Sequence, residues 1–330
     1  MAAARAARPP HPVRHLIGRR AAAGVFTLGV VSVLVFLATE VLPGNAAVAV
    51  LGRTAAGNPA GVRRLETALH LNRGLADQYW LWFSGVLTGH LGHSLANGQP
   101  VWGYVAPRLV NSAVLMLVTG VIGTVLGVGL GIVAALRKDS WLDHVTAVGA
   151  LAVTALPEFV VAIGLIILFS TVVTHLLPAV SVLPPGSYAW RAPRLLVLPV
   201  ATLVIVIVPY IQRMTRAAMI EALQSDYAEM AWLKGVPRWR IAVRHALPNA
   251  TAPVIQVIGL NFLYLAGGVV IVEYVFAFPG IGQGLVYAVD DRDIPVIQFI
   301  VVVLAAFYVV INITTDVVAL LATPRHRIPR

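Results

Sequence analysis

The sequence predicts an all-α, polytopic membrane protein with six transmembrane helices and both termini in the cytoplasm. Three observations carry this. Of 330 residues, 58% are hydrophobic and 12% charged, with a mean hydropathy of +0.84, which is more apolar surface than a soluble core can hide. The apolar residues fall into runs long enough to cross a bilayer. Lysine and arginine are also unevenly shared: with the N-terminus inside, inner segments hold sixteen and outer segments eight. Five of those eight lie in one long segment, where the positive-inside bias is weak.

A net charge of +10 and a pI near 10.5 could suggest nucleic acid. The charges cluster instead at the ends of apolar runs, with no basic face interleaved with aromatics. Cysteine is absent, which excludes disulfides and cysteine-ligated metals and leaves the redox compartment unreadable.

Residues 1–20 read as a basic, disorder-prone cytoplasmic tail with Pro9-Pro10 and five arginines. The first transmembrane helix is placed at 21–42. Its apolar part exceeds the roughly 7–15 residues of a secretory signal core, so it is read as an uncleaved span. Residues 43–110 form an extracytoplasmic segment in which Tyr79, Trp80, Trp82, Phe83 and Trp102 suit an interfacial lid. His90 and His93 have the spacing of ligands on one helix face, but no carboxylate or third histidine accompanies them. Exposed loop histidines are the preferred reading, and no metal site is expected.

Residues 111–322 hold a five-helix core. In its first span, 111–136, Gly123, Gly127 and Gly131 make a flat stripe for close helix approach. The next span, 144–176, carries Pro157 and Glu158 in its middle. Proline kinks the helix, and an intramembrane acid faces a bundle interior or a water-filled path; a structural acid or a misplaced span boundary are the alternatives for Glu158. Residues 195–212 form the fourth span, with Pro199 and Pro209. The fifth follows Pro253 to about 272 and carries Asn261, and the sixth, 296–322, carries Asn312 and Asp316 before a short cytoplasmic tail, 323–330. Pro157, Glu158, Asn261 and Asp316 are the candidate path-lining residues.

Between the fourth and fifth spans lies a polar island, Glu221 to Pro253, within the cytoplasmic loop 213–250. Asp226 is placed to cap a helix from Tyr227 to Lys234, Gly235 suits its left-handed stop, and Pro237 opens a second helix. In that second helix Trp239, Val243 and Ala246 share one face, with Arg238, Arg240 and Arg244 on the rest. This describes an amphipathic, basic docking element; a plain solvated loop beside a membrane is the alternative.

The island also resembles a known pattern. Glu229-Met230-Ala231, Gly235 and Leu247-Pro248 are similar to the E-A-A signature of permease subunits in ATP-binding-cassette importers, with Met230 and His245 as departures. The stretch DYAEMAWLKGVPRWRIAVRHALPNATAPVI resembles the oligopeptide/dipeptide/nickel branch of that family. Further resemblances are Leu42-Pro43-Gly44-Asn45, the extracytoplasmic wording around 71–101, Glu273 through Arg292-Asp293-Ile294-Pro295, and Asn312, Asp316, Pro324 and Arg325.

The resemblance implies a type I ABC importer permease fold. It further implies a second homologous permease, two nucleotide-binding ATPase subunits and an extracytoplasmic substrate-binding protein. On this reading Asp226, Tyr227, Glu229, Ala231, Lys234, Gly235, Arg244, Leu247 and Pro248 couple to the ATPase. Glu273, Phe276, Pro279, Gly280, Arg292 and Asp293 belong to a receptor contact or outer gate, although a plain structured turn explains that segment as well. No G-x-x-x-x-G-K-[ST] loop is present, so ATP and Mg are expected in partner chains and no cofactor in this one.

The leading expectation is a peptide importer permease, without enzymatic activity of its own, in the bacterial cytoplasmic membrane. A nickel or other small-solute importer is the alternative within the family. An ion-gradient-driven transporter using Glu158 and Asp316 is the alternative outside it. An intramembrane hydrolase lacks any H-E-x-x-H or G-x-S-x-G motif.

Overall fold

The computed structural model describes residues 12–41, 59–60, 63, 73–173, 175–184 and 187–322. Residues 1–11 of the tail, Leu42-Pro43-Gly44-Asn45 and the C-terminal 323–330 lie outside the described residues.

Among the described residues ten helices follow one another: α1 Pro12–Val41, α2 Leu75–Thr88, α3 Val101–Leu136, α4 Trp141–Thr154, α5 Glu158–Ile166, α6 Pro193–Leu223, α7 Asp226–Leu233, α8 Arg238–Val275, α9 Ile281–Asp290 and α10 Ile294–Ala322. Five of them (α1, α3, α6, α8 and α10) are long and apolar enough to cross a membrane, and α4 with α5 makes a sixth crossing if that bent pair is one span.

Several boundaries differ from those expected. α1 starts at Pro12, inside the stretch read as tail. α3 starts at Val101, ten residues before the expected span. Hydropathy alone stops at Arg108 and Asn111, whereas the helix continues because Val101 and Val105 bury against Ile281, Val296 and Ile300. The expected single span 144–176 is two helices bent by 100°. Pro157 caps α5 instead of kinking a continuous helix, since the residue before a proline is driven out of helical geometry. α6 runs eleven residues beyond the expected end, to Leu223.

The centre of the bundle is the packing of α3 on α6. Here the glycine stripe acts by its lack of side chains. A methyl added at Gly127 would lie 2.7 Å from Ile211 Cβ, and one at Gly131 would lie 2.6 Å from Thr215 Cβ and 2.8 Å from the Gln212 carbonyl oxygen. Only glycine lets the two backbones meet at this distance. α8 packs on the other side of α6, and α1 lies against α10, joined by Gln298 donating to Thr39 at 2.8 Å and by Arg20 with Asp316 at 2.6 Å.

Candidate functional site

The polar island is built from α7, a glycine turn and the beginning of α8. Ser225, not Asp226, occupies the cap position of α7, its carbonyl accepting from Ala228 and Glu229. Asp226 and Glu229 instead sit in the first turn, where the positive end of the helix dipole favours them. The helix ends in a Schellman motif: Val236 N–H donates to Ala231 O at 3.1 Å and Gly235 N–H to Trp232 O at 2.9 Å. Gly235 has φ +78°, which an L side chain resists.

Pro237 caps α8, and the helix then widens into a π-helical turn over Ala242–Ala246 before Leu247. The reason lies one residue on. Pro248 has no N–H for the Arg244 carbonyl and its ring would crowd it, so a wider turn there accommodates the ring without breaking the helix. The second helix of the island and the fifth span are therefore one 38-residue helix.

The residues read as one apolar face, Trp239, Val243 and Ala246, are divided between outside and inside. Trp239 and Val243 are exposed, and Ile241, Ala242, Ala246 and Ala250 turn inward. The three alanines pack with Ala135 of α3 and Ala218, Met219 and Ala222 of α6, mostly small side chains that seat the island tightly on the bundle. Outward it presents Met230, Trp232, Leu233, Trp239 and Val243, each more than half exposed. Of the candidate coupling residues, Asp226, Tyr227, Glu229, Lys234, Gly235, Arg244 and Pro248 are exposed and Ala231 and Leu247 half-buried.

On the outer side the structure gathers a junction that the sequence reading did not assemble. Glu273 is fully buried. Ser112 Oγ donates to its Oε1 at 2.5 Å, and its Oε2 accepts from Gly282 N–H at 2.7 Å and Gln283 N–H at 3.2 Å. The carboxylate thus closes the N-terminus of α9, a favourable place for negative charge. Gly280 passes directly over that carboxylate, and a Cβ there would collide with it.

Asn111 beside Ser112 donates to Pro279 O at 3.0 Å and accepts from Ala189 N–H at 3.0 Å. Phe276 is buried and Asp293, 3% exposed, accepts from Ser94 Oγ and from Leu95 N–H. Glu273, Phe276 and Asp293 are therefore buried fastenings in this conformation; Arg292 is exposed, with φ +56°. Asn111 and Ser112, polar neighbours at the head of an apolar run, were the available signal for this junction.

The path candidates separate in the same way. Asn261 is buried and donates to Val257 O of its own helix at 2.8 Å. Asp316 is taken up by Arg20. Pro157 stands at the break of the bent pair, and Glu158 opens α5 with Tyr264 Oη donating to its Oε2 at 3.3 Å. His90 Nδ1 lies 3.1 Å from Thr88 Oγ1, and among the described residues no group of three or more metal-ligating side chains comes together. The lid residues Tyr79 and Trp82 of α2 pack on Phe36 of α1.

Comparison with known proteins places these features in one context. Residues 127–328 match the family described as binding-protein-dependent transport system inner membrane component. Residues 13–118 match the description for its N-terminal region. A probable peptide ABC transporter permease protein, y4tP, of Sinorhizobium fredii is 34% identical over 94% of this chain and 98% of its own length. A putative peptide transport system permease protein of Brucella abortus is 35% identical over 94% of this chain and 98% of its own length. The glutathione transport system permease protein GsiC of Escherichia coli is 34% identical over 91% of this chain and 95% of its own length. Among solved structures, the inward-facing MetNI methionine ABC transporter shares the fold, with TM-score 0.57 and 17% identity over 68% of this chain and 99% of that one.

Proposed function

The chain belongs to the family of binding-protein-dependent transport system inner membrane components, and from that premise we propose that it forms one half of the translocation pathway of an ATP-driven peptide importer. It is a multi-pass inner-membrane permease. The observation that carries the cargo reading is the similarity along nearly the whole chain to permeases named for peptide and glutathione transport. Those names favour peptides over nickel as cargo.

The second permease is a homologous, non-identical chain, and two ATPase subunits with ATP and Mg supply the energy. An extracytoplasmic binding protein delivers the peptide. The island supports the coupling role physically. Its outward face is apolar and aromatic with acids and bases at the margin, the composition of an interface core with a polar rim. Because α7 is locked by its Schellman turn and α8 runs unbroken into the fifth span, a push on the loop moves that span as a lever. The ion-gradient alternative loses one of its two acids to the Arg20–Asp316 pair.

The absence of cysteine gives a clean test of docking. Single variants Met230→Cys and Trp232→Cys are expected to cross-link to the ATPase subunit in the assembled complex, and Trp80→Cys on α2 is not. Cross-linking from α2 but not from α7 would place the ATPase elsewhere.

A further inference from the structure

We propose that Glu158, together with the rings of Tyr264 and Tyr210, forms the point in the translocation path that receives the ammonium group of the passing peptide. This rests on the peptide-permease reading and adds the group recognised and the residues that recognise it.

Glu158 stands where the bent pair turns through 100° and where α5 meets α6 and α8. Its side chain is buried, 8% exposed. Among the described residues the only hydrogen bond to the carboxylate is the one from Tyr264 Oη, at 3.3 Å, long for a hydroxyl donor. No described group donates to Oε1, and an ionised acid between membrane-spanning helices is costly unless charge or donors answer it.

Three other acids in or beside the spans are answered. Glu273 accepts from Ser112, Gly282 and Gln283, Asp143 is held by Arg216, and Asp316 by Arg20. Glu158 has no such cation among the described residues. Room for it is made by Gly268, where a methyl would lie 2.7 Å from Oε2.

The surroundings have the chemistry of an ammonium site. Tyr264 and Tyr210 have ring centroids 6.4 Å apart and are 43% and 44% exposed, so their electron-rich faces are open to a cation. They sit on the uncovered side of the bundle: Leu260, Tyr264 and Ile271 form an exposed stripe along α8, while α6 is sealed on its far side against the glycines of α3.

Every unmodified peptide carries an N-terminal ammonium whatever its side chains. One carboxylate with two aromatic faces would therefore engage a series of cargoes without reading their sequence. A single such contact is also weak enough to release what it binds, as a pathway requires.

The test uses the complete complex with its partner subunits. Binding to the receptor-free complex in detergent is measured by competition of a labelled dipeptide with the same dipeptide either free or N-acetylated. The free form is expected to compete about tenfold better in the wild type, the size of one charged hydrogen bond. Glu158→Gln should abolish that preference, Glu158→Asp should retain part of it, and Tyr210→Leu should weaken it. A wild type without the preference, or a Glu158→Gln complex that keeps it, overturns the proposal. ATP-dependent peptide uptake by the same wild-type complex in proteoliposomes separates the two levels: uptake without an ammonium preference removes only the role of Glu158, and no peptide uptake removes the peptide reading itself.

Discussion

Arg216 holds Asp143 with two nitrogens, Nε to Oδ1 at 2.5 Å and Nη2 to Oδ2 at 2.7 Å, and so ties α6 to the start of α4. Asp143 is 3% exposed, and its Oδ2 also accepts from Asp139 N–H at 3.0 Å, which fixes the turn between α3 and α4. The pair stands seven residues before the end of α6, close to the cytoplasmic island.

Removing the guanidinium leaves a buried carboxylate with one donor. Arg216→Met should lower stability by about 2 kcal/mol, discounted from a fully buried pair because Arg216 is partly exposed. Thermal unfolding of the purified complex measures it. Asp143→Ala with Arg216→Ala should cost less than the two single changes added, since each single change strands the other partner.

The α3–α6 contact predicts a position-specific result. Gly131→Val should prevent assembly, because its Cβ would meet both the Thr215 side chain and the Gln212 carbonyl. Gly129→Ala, with nothing within 4 Å of the added Cβ, should assemble normally. Membrane levels of the two variants decide the matter, and equal levels would mean that α3 and α6 do not pack through this stripe.

Glu273 distinguishes a fastening from a receptor contact. Glu273→Ala leaves Ser112 and two backbone N–H groups without their acceptor, at a cost of about 1–3 kcal/mol for each stranded buried donor. The variant should unfold at lower temperature even without the binding protein. An unchanged unfolding temperature with weakened receptor binding would return Glu273 to the outer surface.

Gly235 tests the island without touching the core. Gly235→Leu forces a side chain into a left-handed conformation at about 1–2 kcal/mol, on a loop with open space around it. The protein should reach the membrane and lose coupling, with ATP hydrolysis no longer stimulated by loaded receptor. Normal stimulation would count against the loop as the lever.

Much of the fold was legible because hydropathy, charge asymmetry and glycine spacing are local signals. The island stood out by its density of charge between two spans, and Gly235 announced its turn because few other residues adopt that geometry. What was not legible depended on partners distant in sequence. Pro157 signals a break but not its angle, which α6 and α8 set by packing against α5. Trp239, Val243 and Ala246 read as one apolar face by periodicity, yet only Ala246 of the three turns inward, with Ala242 and Ala250, because the contact with α3 and α6 is too close for large side chains. Glu273 read as surface by its acidity and its glycine-rich context, and it is internal because Ser112, 161 residues away, supplies a donor.

Peptide uptake into proteoliposomes carrying this chain with its second permease, its ATPase subunits and its binding protein tests the central claim most directly. The account predicts accumulation of labelled peptide that requires both ATP and the binding protein and that ends when Gly235 is replaced by leucine. Accumulation driven by an ion gradient, with the ATPase subunits left out, would contradict it.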